Sequence, residues 1–196
     1  QNADRLARIA EEVLDIARVQ HQINHAPGAT LALDASVAQV WSDWSSQDPA
    51  RRRGQVSLET SMVQVEFDPE HLRRVLVNLL DNALRYMGPE EDSLVVQTRT
   101  SPAGQTTLQV WSDGAPMDKS VERHLFEPFF SSESRSSGLG LYICRELCQR
   151  HGASISYQRL NRTTLRGETG GNAFTVGFRR TTRPADAATL FDTIVV

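Results

Sequence analysis

Two asparagines four residues apart, Asn78 and Asn82, interrupt a strongly apolar stretch, and Arg85 and Tyr86 follow within the next turn. On a helix that spacing lines up both amides and the guanidinium along one edge. An amide oxygen is a neutral, hard ligand suited to Mg2+, which prefers octahedral oxygen coordination and keeps phosphates and waters in its shell. Asp113 closes an apolar run, LQVWSDG. A buried carboxylate there can accept a hydrogen bond from an exocyclic amine such as adenine offers, whereas guanine presents a repelling oxygen. The third feature is SSGLGL, residues 136–141, which runs straight into a helical pattern. Backbone N–H groups at a helix N-terminus bind phosphate, and the small residues Gly138 and Gly140 let it approach. Plainer accounts stay open for two of these features: asparagines bonding nearby backbone, and an aspartate ending a strand in a turn.

The asparagines need a helix, and DPEHLRRVLVNLLDNALRYMGP, residues 68–89, has the punctuation of one. Asp68 is a good N-cap, Pro69 suits the first helical position, and Gly88 with Pro89 makes a stop. Leu72, Val75, Leu76, Leu79, Leu80, Ala83 and Leu84 form a wide apolar stripe, so most of this helix should be buried.

Several chemistries are excluded. The chain lacks a GxxxxGK[ST] phosphate loop, and its GLG lacks the third glycine and preceding strand of a dinucleotide fingerprint. The histidines, 5 in all, are scattered and suggest no metal site. A formal charge of −3 gives no reason to expect nucleic-acid binding, and Arg51, Arg52 and Arg53 have no aromatic interleaving, so a solvated loop is expected there. Cys144 and Cys148, four apart in a helical segment, fit a reduced pair facing the core and a cytosolic compartment. No apolar run is long enough to span a bilayer, and no signal peptide is visible.

Taken in order, residues 1–20 predict a helix in which Leu6, Ile9, Val13, Ile16 and Gln20 make a heptad-like seam. So narrow a seam favours a partner helix, with packing on the following domain as the alternative. HAPGAT, residues 25–30, is the expected linker, and a second helix is expected over Asp34–Trp44. Short strands are expected near 55–59 and 62–67, then a hairpin of Leu94–Thr100 and Thr106–Trp111. Residues 113–137 form a long irregular segment, of a kind that is usually functional or disordered. A helix over 138–152 follows, then strands Ala153–Leu160 and Asn172–Arg180 separated by a polar turn, NRTTLRGETGG.

NLLDNALRY, SDGAP, FEPFF and SGLGL, in this order, resemble the N, G1, F and G2 boxes of the sensor histidine kinase ATP-binding domain. HLFEPFFSSESRSSGLGLYICRELC resembles the nitrogen-regulation and type IV pilus-regulation sensor kinases. The resemblance implies a Bergerat-type α/β (α+β) sandwich, a mixed, mostly antiparallel sheet with helices on one face. It implies three parts: residues 1–25 as the second helix of a dimerisation and phosphotransfer hairpin, 26–180 as the ATP-binding catalytic domain, and 181–196 as a tail.

It also implies roles. Asn82 would coordinate Mg2+ and Asn78 support the phosphates and metal, with Arg85 near the phosphates and Tyr86 near the adenine. Asp113, with Gly114, would read the adenine amine. Residues 115–137 would be a mobile lid anchored by Phe126, Phe129 and Phe130. Ser137, Gly138, Leu139, Gly140 and Leu141 would meet the phosphates, and Arg135 stands where relatives often carry a basic residue. The activity implied is ATP-dependent protein-histidine kinase, with the phosphoacceptor His expected before Gln1. Its partners would be ATP, the protein's own phosphotransfer domain, a response regulator, and a second copy through the N-terminal helix. Nucleic acid is not among them, and the location implied is the cytoplasmic portion of a kinase anchored in the inner membrane. ATP-hydrolysing relatives carry a glutamate where Asn78 stands, so transfer to His is implied over hydrolysis.

The boxes also depart from the family pattern. G1 usually reads D-x-G-x-G, and here the later glycines are lost or the register is slipped by one, leaving Ala115, Pro116 and Met117. Ser136 and Ser137 precede the G2 glycines. These changes motivate a second reading, a degenerate nucleotide-binding domain that acts through protein contacts.

Overall fold

The computed structural model describes residues 2–21, 29–130 and 138–179. The expected linker at 22–28, the tail at 181–196, and the assignments to Arg135 and Ser137 lie outside these residues.

Helix α1 spans Asn2–His21, strand β1 Thr30–Ala32, and helix α2 Leu33–Ser45. A short 3-10 turn at Pro49–Arg52 leads to β2, Gln55–Leu58, and β3, Gln64–Glu66. Helix α3, Pro69–Tyr86, carries both asparagines. Then come β4, Leu94–Thr100, β5, Thr106–Asp113, short α4, Lys119–Arg123, and α5, Gly140–Arg150. Strands β6, Ser154–Thr164, and β7, Gly167–Phe178, complete the described chain.

Five strands form one sheet in the order β2-β4-β5-β7-β6, with β2 parallel to β4 and every other pair antiparallel. A separate two-stranded ladder joins β1 to β3. Helices α2, α3 and α5 cover the sheet face carrying Val96, Leu108, Val110, Phe174 and Val176, where the main core forms. The opposite face holds a small cluster of Val95, Trp111 and Ala173. This is the mixed, mostly antiparallel α/β sandwich that the motifs implied.

Helix α3 follows its sequence signals closely. The Asp68 carboxylate accepts from the Glu70 and His71 N–H groups, and Leu72, Val75, Leu76, Leu79, Leu80 and Ala83 are buried. The helix ends at Tyr86, two residues before the glycine stop, because Met87 is already extended.

Two expectations need correction. Residues 161–171 are not a turn: β6 and β7 continue through them as one long hairpin, and only Leu165 and Arg166 turn. The threonines there serve the ladder, with Thr164 Oγ1 bonded to Thr169 Oγ1 across the strands at 2.8 Å. Gly171 serves packing, since a Cβ there would lie 2.2 Å from the Trp111 ring. Arg51 is not simply solvated but stacks over Trp44, 5.1 Å from the ring centroid. The seam of α1 divides: Ile16 packs on the core of this chain, while Leu6 and Val13 are exposed.

Candidate functional site

A cavity of about 580 Å³ opens between α3, the segment after β5 and the start of α5. Its volume falls in the range of small-ligand sites. Asn78, Asn82, Arg85 and Tyr86 line it from α3, and Gly138, Gly140 and Leu141 line it from the α5 end. Sequence elements separated by more than fifty residues thus share one wall, as the two-asparagine and glycine signals required.

Each wall has a physical cause. The apolar stripe of α3 faces the sheet, which rotates Asn78 and Asn82 to the stripe's edge. Cys144 on α5 is a side-chain hydrogen-bond partner of Asn78. Gly138 has φ +72, and a Cβ there would come within 2.6 Å of the Phe130 carbonyl oxygen. Only glycine can turn the chain into α5 at that point. Gly140 is different, since its Cβ would meet nothing nearer than Asn78 Oδ1 at 3.8 Å. Its small size leaves the helix N-terminus open to the cavity.

Other lining residues escaped the sequence. Asp81 lies between the two asparagines and receives the Trp44 indole N–H at 2.8 Å, with Arg51 3.8 Å away. The i,i+3 and i,i+4 pattern on α3 could have suggested Asp81, but its partners come from α2 and the following turn. Asn172 on β7 lines the cavity and donates to the Ala115 carbonyl, while its own carbonyl accepts from Tyr157 O–H at 2.7 Å and from Arg159 at 3.3 Å. Met117, Val121 and Leu125 add an apolar portion of wall. Arg8 and Glu12 on α1 also line it, which nothing in the heptad pattern foretold.

Asp113 does not line the cavity. It is buried, 5% exposed, and each of its oxygens has a partner. Oδ1 accepts from the Gly88 N–H at 2.7 Å, and Oδ2 accepts from Ser93 O–H at 2.8 Å and from Arg166 at 2.7 Å. Burial by itself would push this carboxyl up, but the Gly88, Arg166 and Ser93 bonds outweigh it and hold it below the ordinary carboxylate value. Ladder parity explains the placement: residues alternate faces along β5, so Asp113 falls on the side of Trp111. Gly114 is likewise not part of the lining. Its φ is +154, and the Tyr86 carbonyl lies 3.2 Å from a would-be Cβ.

The phenylalanines divide as well. Phe126 packs edge-on against Phe174, with centroids 6.3 Å apart, and Phe130 lines the cavity. Phe129 is 63% exposed at φ +62. Leu139 is fully buried in the core, so only its backbone faces the helix start, while Leu141 reaches the cavity by its side chain.

The donor set around Asn78, Asp81 and Asn82 is all oxygen and largely neutral. It suits a hard cation that takes few protein ligands and the rest from phosphates and water, as Mg2+ does. Among the described residues no group of three or more His, Cys, Asp or Glu could hold a metal alone. Among the same residues, no helix is long and apolar enough to cross a membrane.

Residues 67–182 match the family described as histidine kinase-, DNA gyrase B- and HSP90-like ATPase. Sensor protein kinase PilS of Pseudomonas aeruginosa is 36% identical over 137 residues, which cover 66% of this chain and 24% of that protein. Sensory histidine kinase/phosphatase NtrB of Salmonella typhimurium is 29% identical over 168 residues, covering 80% of this chain and 46% of its own. The chain therefore spans less than half the length of these relatives. Among solved structures, the catalytic domain of histidine kinase ThkA superposes with a TM-score of 0.63 at 23% identity, covering 80% of this chain and 97% of that one. That likeness concerns the fold.

Proposed function

This chain belongs to the histidine kinase-, DNA gyrase B- and HSP90-like ATPase family, and from that premise we propose that it is the ATP-binding catalytic domain of a bacterial two-component sensor histidine kinase. The observation that supports this most is the meeting of Asn78, Asn82 and the Gly138–Gly140 helix start on one cavity. An asparagine edge facing a helix N-terminus is what a triphosphate and its cation require.

In this reading the start of α5 turns its free N–H groups to the phosphates, and Gly140 lets them come close. Arg85, exposed at the mouth, adds positive charge from α3. Asn82, supported by Asn78, would hold Mg2+. When bound, that ion neutralises charge on the outer phosphates. Leu125 and Phe130 shield the cavity from water, and Tyr86 offers a ring at its edge. Catalysis by such a site is mainly positioning and electrostatics, with no side chain asked to become a covalent nucleophile. Asn78 cannot act as a general base toward water, which favours transfer over hydrolysis. The γ-phosphoryl would pass to a histidine nitrogen of the protein's own phosphotransfer domain, and then to a response regulator.

Calorimetric titration of the chain with ATP in the presence and absence of Mg2+ tests the binding step. Saturable, Mg2+-dependent binding is expected, and no heat at millimolar nucleotide would overturn the proposal. An upstream-extended chain should gain an acid-labile, base-stable phosphohistidine from γ-labelled ATP.

A further inference from the structure

We propose that Cys144 is a positioning residue of this site: its sulfur accepts an amide hydrogen of Asn78 and so keeps the Asn78 carbonyl oxygen turned toward the start of α5. The inference rests on the nucleotide-binding reading above and adds to it a residue that does not itself line the cavity.

Two helix faces meet here. On α5, Gly140 and Cys144 are four residues apart and share a face, and on α3 so do Val75 and Asn78, three apart. These faces touch at each end. A Cβ at Gly140 would lie 3.8 Å from Asn78 Oδ1, and Cys144 Sγ–H donates to the Val75 carbonyl at 3.7 Å. Between them, Cys144 and Asn78 are side-chain hydrogen-bond partners.

The oxygen and nitrogen of an asparagine amide are nearly alike in size, so packing alone does not choose which way the group turns. The thiol chooses. Cys144 is fully buried, and burial pushes its thiol up, so the sulfur keeps its hydrogen. That single hydrogen goes to the Val75 carbonyl. Toward Asn78 the sulfur can then only accept, and the amide must meet it with N–H rather than with oxygen. The Asn78 oxygen is thereby turned to the Gly140 side, where α5 opens on the cavity. A reversed amide would set oxygen against sulfur with no hydrogen between them, and would offer N–H groups where a cation needs oxygen.

Partners that orient a metal-binding side chain typically matter about 10- to 100-fold in metal affinity. Sulfur is a weak acceptor, so an effect of about tenfold, the lower end, is expected.

The test measures the ATP dissociation constant of the full chain with and without Mg2+, and takes their ratio as the Mg2+ enhancement. Cys144→Val fills the buried volume but cannot accept, whereas Cys144→Ser keeps a hydrogen to donate and lone pairs to accept. The valine variant should lose about tenfold of the enhancement, and the serine variant should keep most of it. In an Asn78→Ala background, Cys144→Val should change the enhancement no further, because the thiol acts through that amide. A second readout needs no nucleotide or metal. In isotope-labelled protein the Asn78 side-chain amide protons should exchange with water several-fold more slowly than those of exposed Asn161. In Cys144→Val that protection should fall. A folded Cys144→Val with the wild-type enhancement overturns the inference and leaves the nucleotide site standing. So does an Asn78 amide in wild-type protein that exchanges as fast as that of Asn161, whether or not the variants fold. If wild-type protein binds no ATP at millimolar concentration, the proposed function fails and this inference with it.

Discussion

Trp44 donates its indole N–H to Asp81 across 2.8 Å, tying α2 to the helix that carries Asn78 and Asn82. The donor is buried, 2% exposed, and Arg51 covers the same ring from outside. The bond fixes one oxygen of a carboxylate on the cavity wall. Trp44→Phe keeps the apolar bulk but removes the donor. A hydrogen bond to a charged group contributes about 1.5–3 kcal/mol, so a loss of that order is expected in urea unfolding. ATP affinity should fall too, because Asp81 loses the partner that fixes it beside Asn78 and Asn82. Unchanged stability in Trp44→Phe would show that the bond has no energetic weight.

Asn82→Ala tests the cation site. Asn82 is half-buried at the edge of the apolar stripe, so its amide contributes little to the core. The variant should fold with a near-normal thermal midpoint and lose Mg2+-dependent ATP binding by at least about tenfold, or about 1.4 kcal/mol. Equal affinity with and without Mg2+ in both proteins would remove Asn82 from the role.

The two glycines at the start of α5 should respond differently to alanine. At Gly138 the backbone has φ +72, and a Cβ would lie 2.6–2.7 Å from the backbone of Phe129 and Phe130. Gly138→Ala should therefore destabilise by more than the roughly 1 kcal/mol of the left-handed conformation alone. At Gly140 the nearest atom to a Cβ is 3.8 Å away, within ordinary contact. Gly140→Ala should keep the melting temperature and reduce ATP affinity, because the methyl group enters the space before the helix N–H groups. Equal losses of stability in the two variants would contradict this distinction.

These contrasts show which parts of the site the sequence made legible. Helix α3 was legible because its cap, stripe and polar interruptions are all local signals that the packing then respects. The glycine entry to α5 was legible for the same reason. The surroundings of Asp113 were not, because the face a strand residue takes depends on its ladder, and β5 runs two residues past Trp111 to pair Ser112 with Asn172 and Asp113 with Gly171. The partners of Asp81 and Asp113 were hidden too, since Trp44 lies 37 residues from one and Arg166 lies 53 residues from the other. The polar 161–171 stretch misled because Gly170 and Gly171 make room for the Arg159 and Trp111 side chains, while its threonines favour strand.

A pH dependence is set far from the cavity, where α3 begins and α5 ends. His71 Nδ1 and His151 Nε2 lie 2.8 Å apart, and Phe67 stacks on His151 with centroids 4.4 Å apart. A bond that short needs one ring to donate and the other to accept, so at least one must be neutral. Burial, with His71 beside it, pushes His151 down to about 4, and burial also lowers His71. Both groups are depressed bases, so the unfolded chain takes up their protons first as the pH falls. The stability they contribute is complete above the ordinary histidine value near 6.5 and declines from there toward about 4. The nearby Asp68 and Glu66 moderate the effect and Arg150 adds to it. Wild-type protein should therefore need less urea to unfold at pH 5 than at pH 7. His151→Phe, which keeps a ring against Phe67 but cannot take a proton, should flatten that difference. If the variant retains the full wild-type slope between pH 7 and pH 5, the histidine pair is not its source.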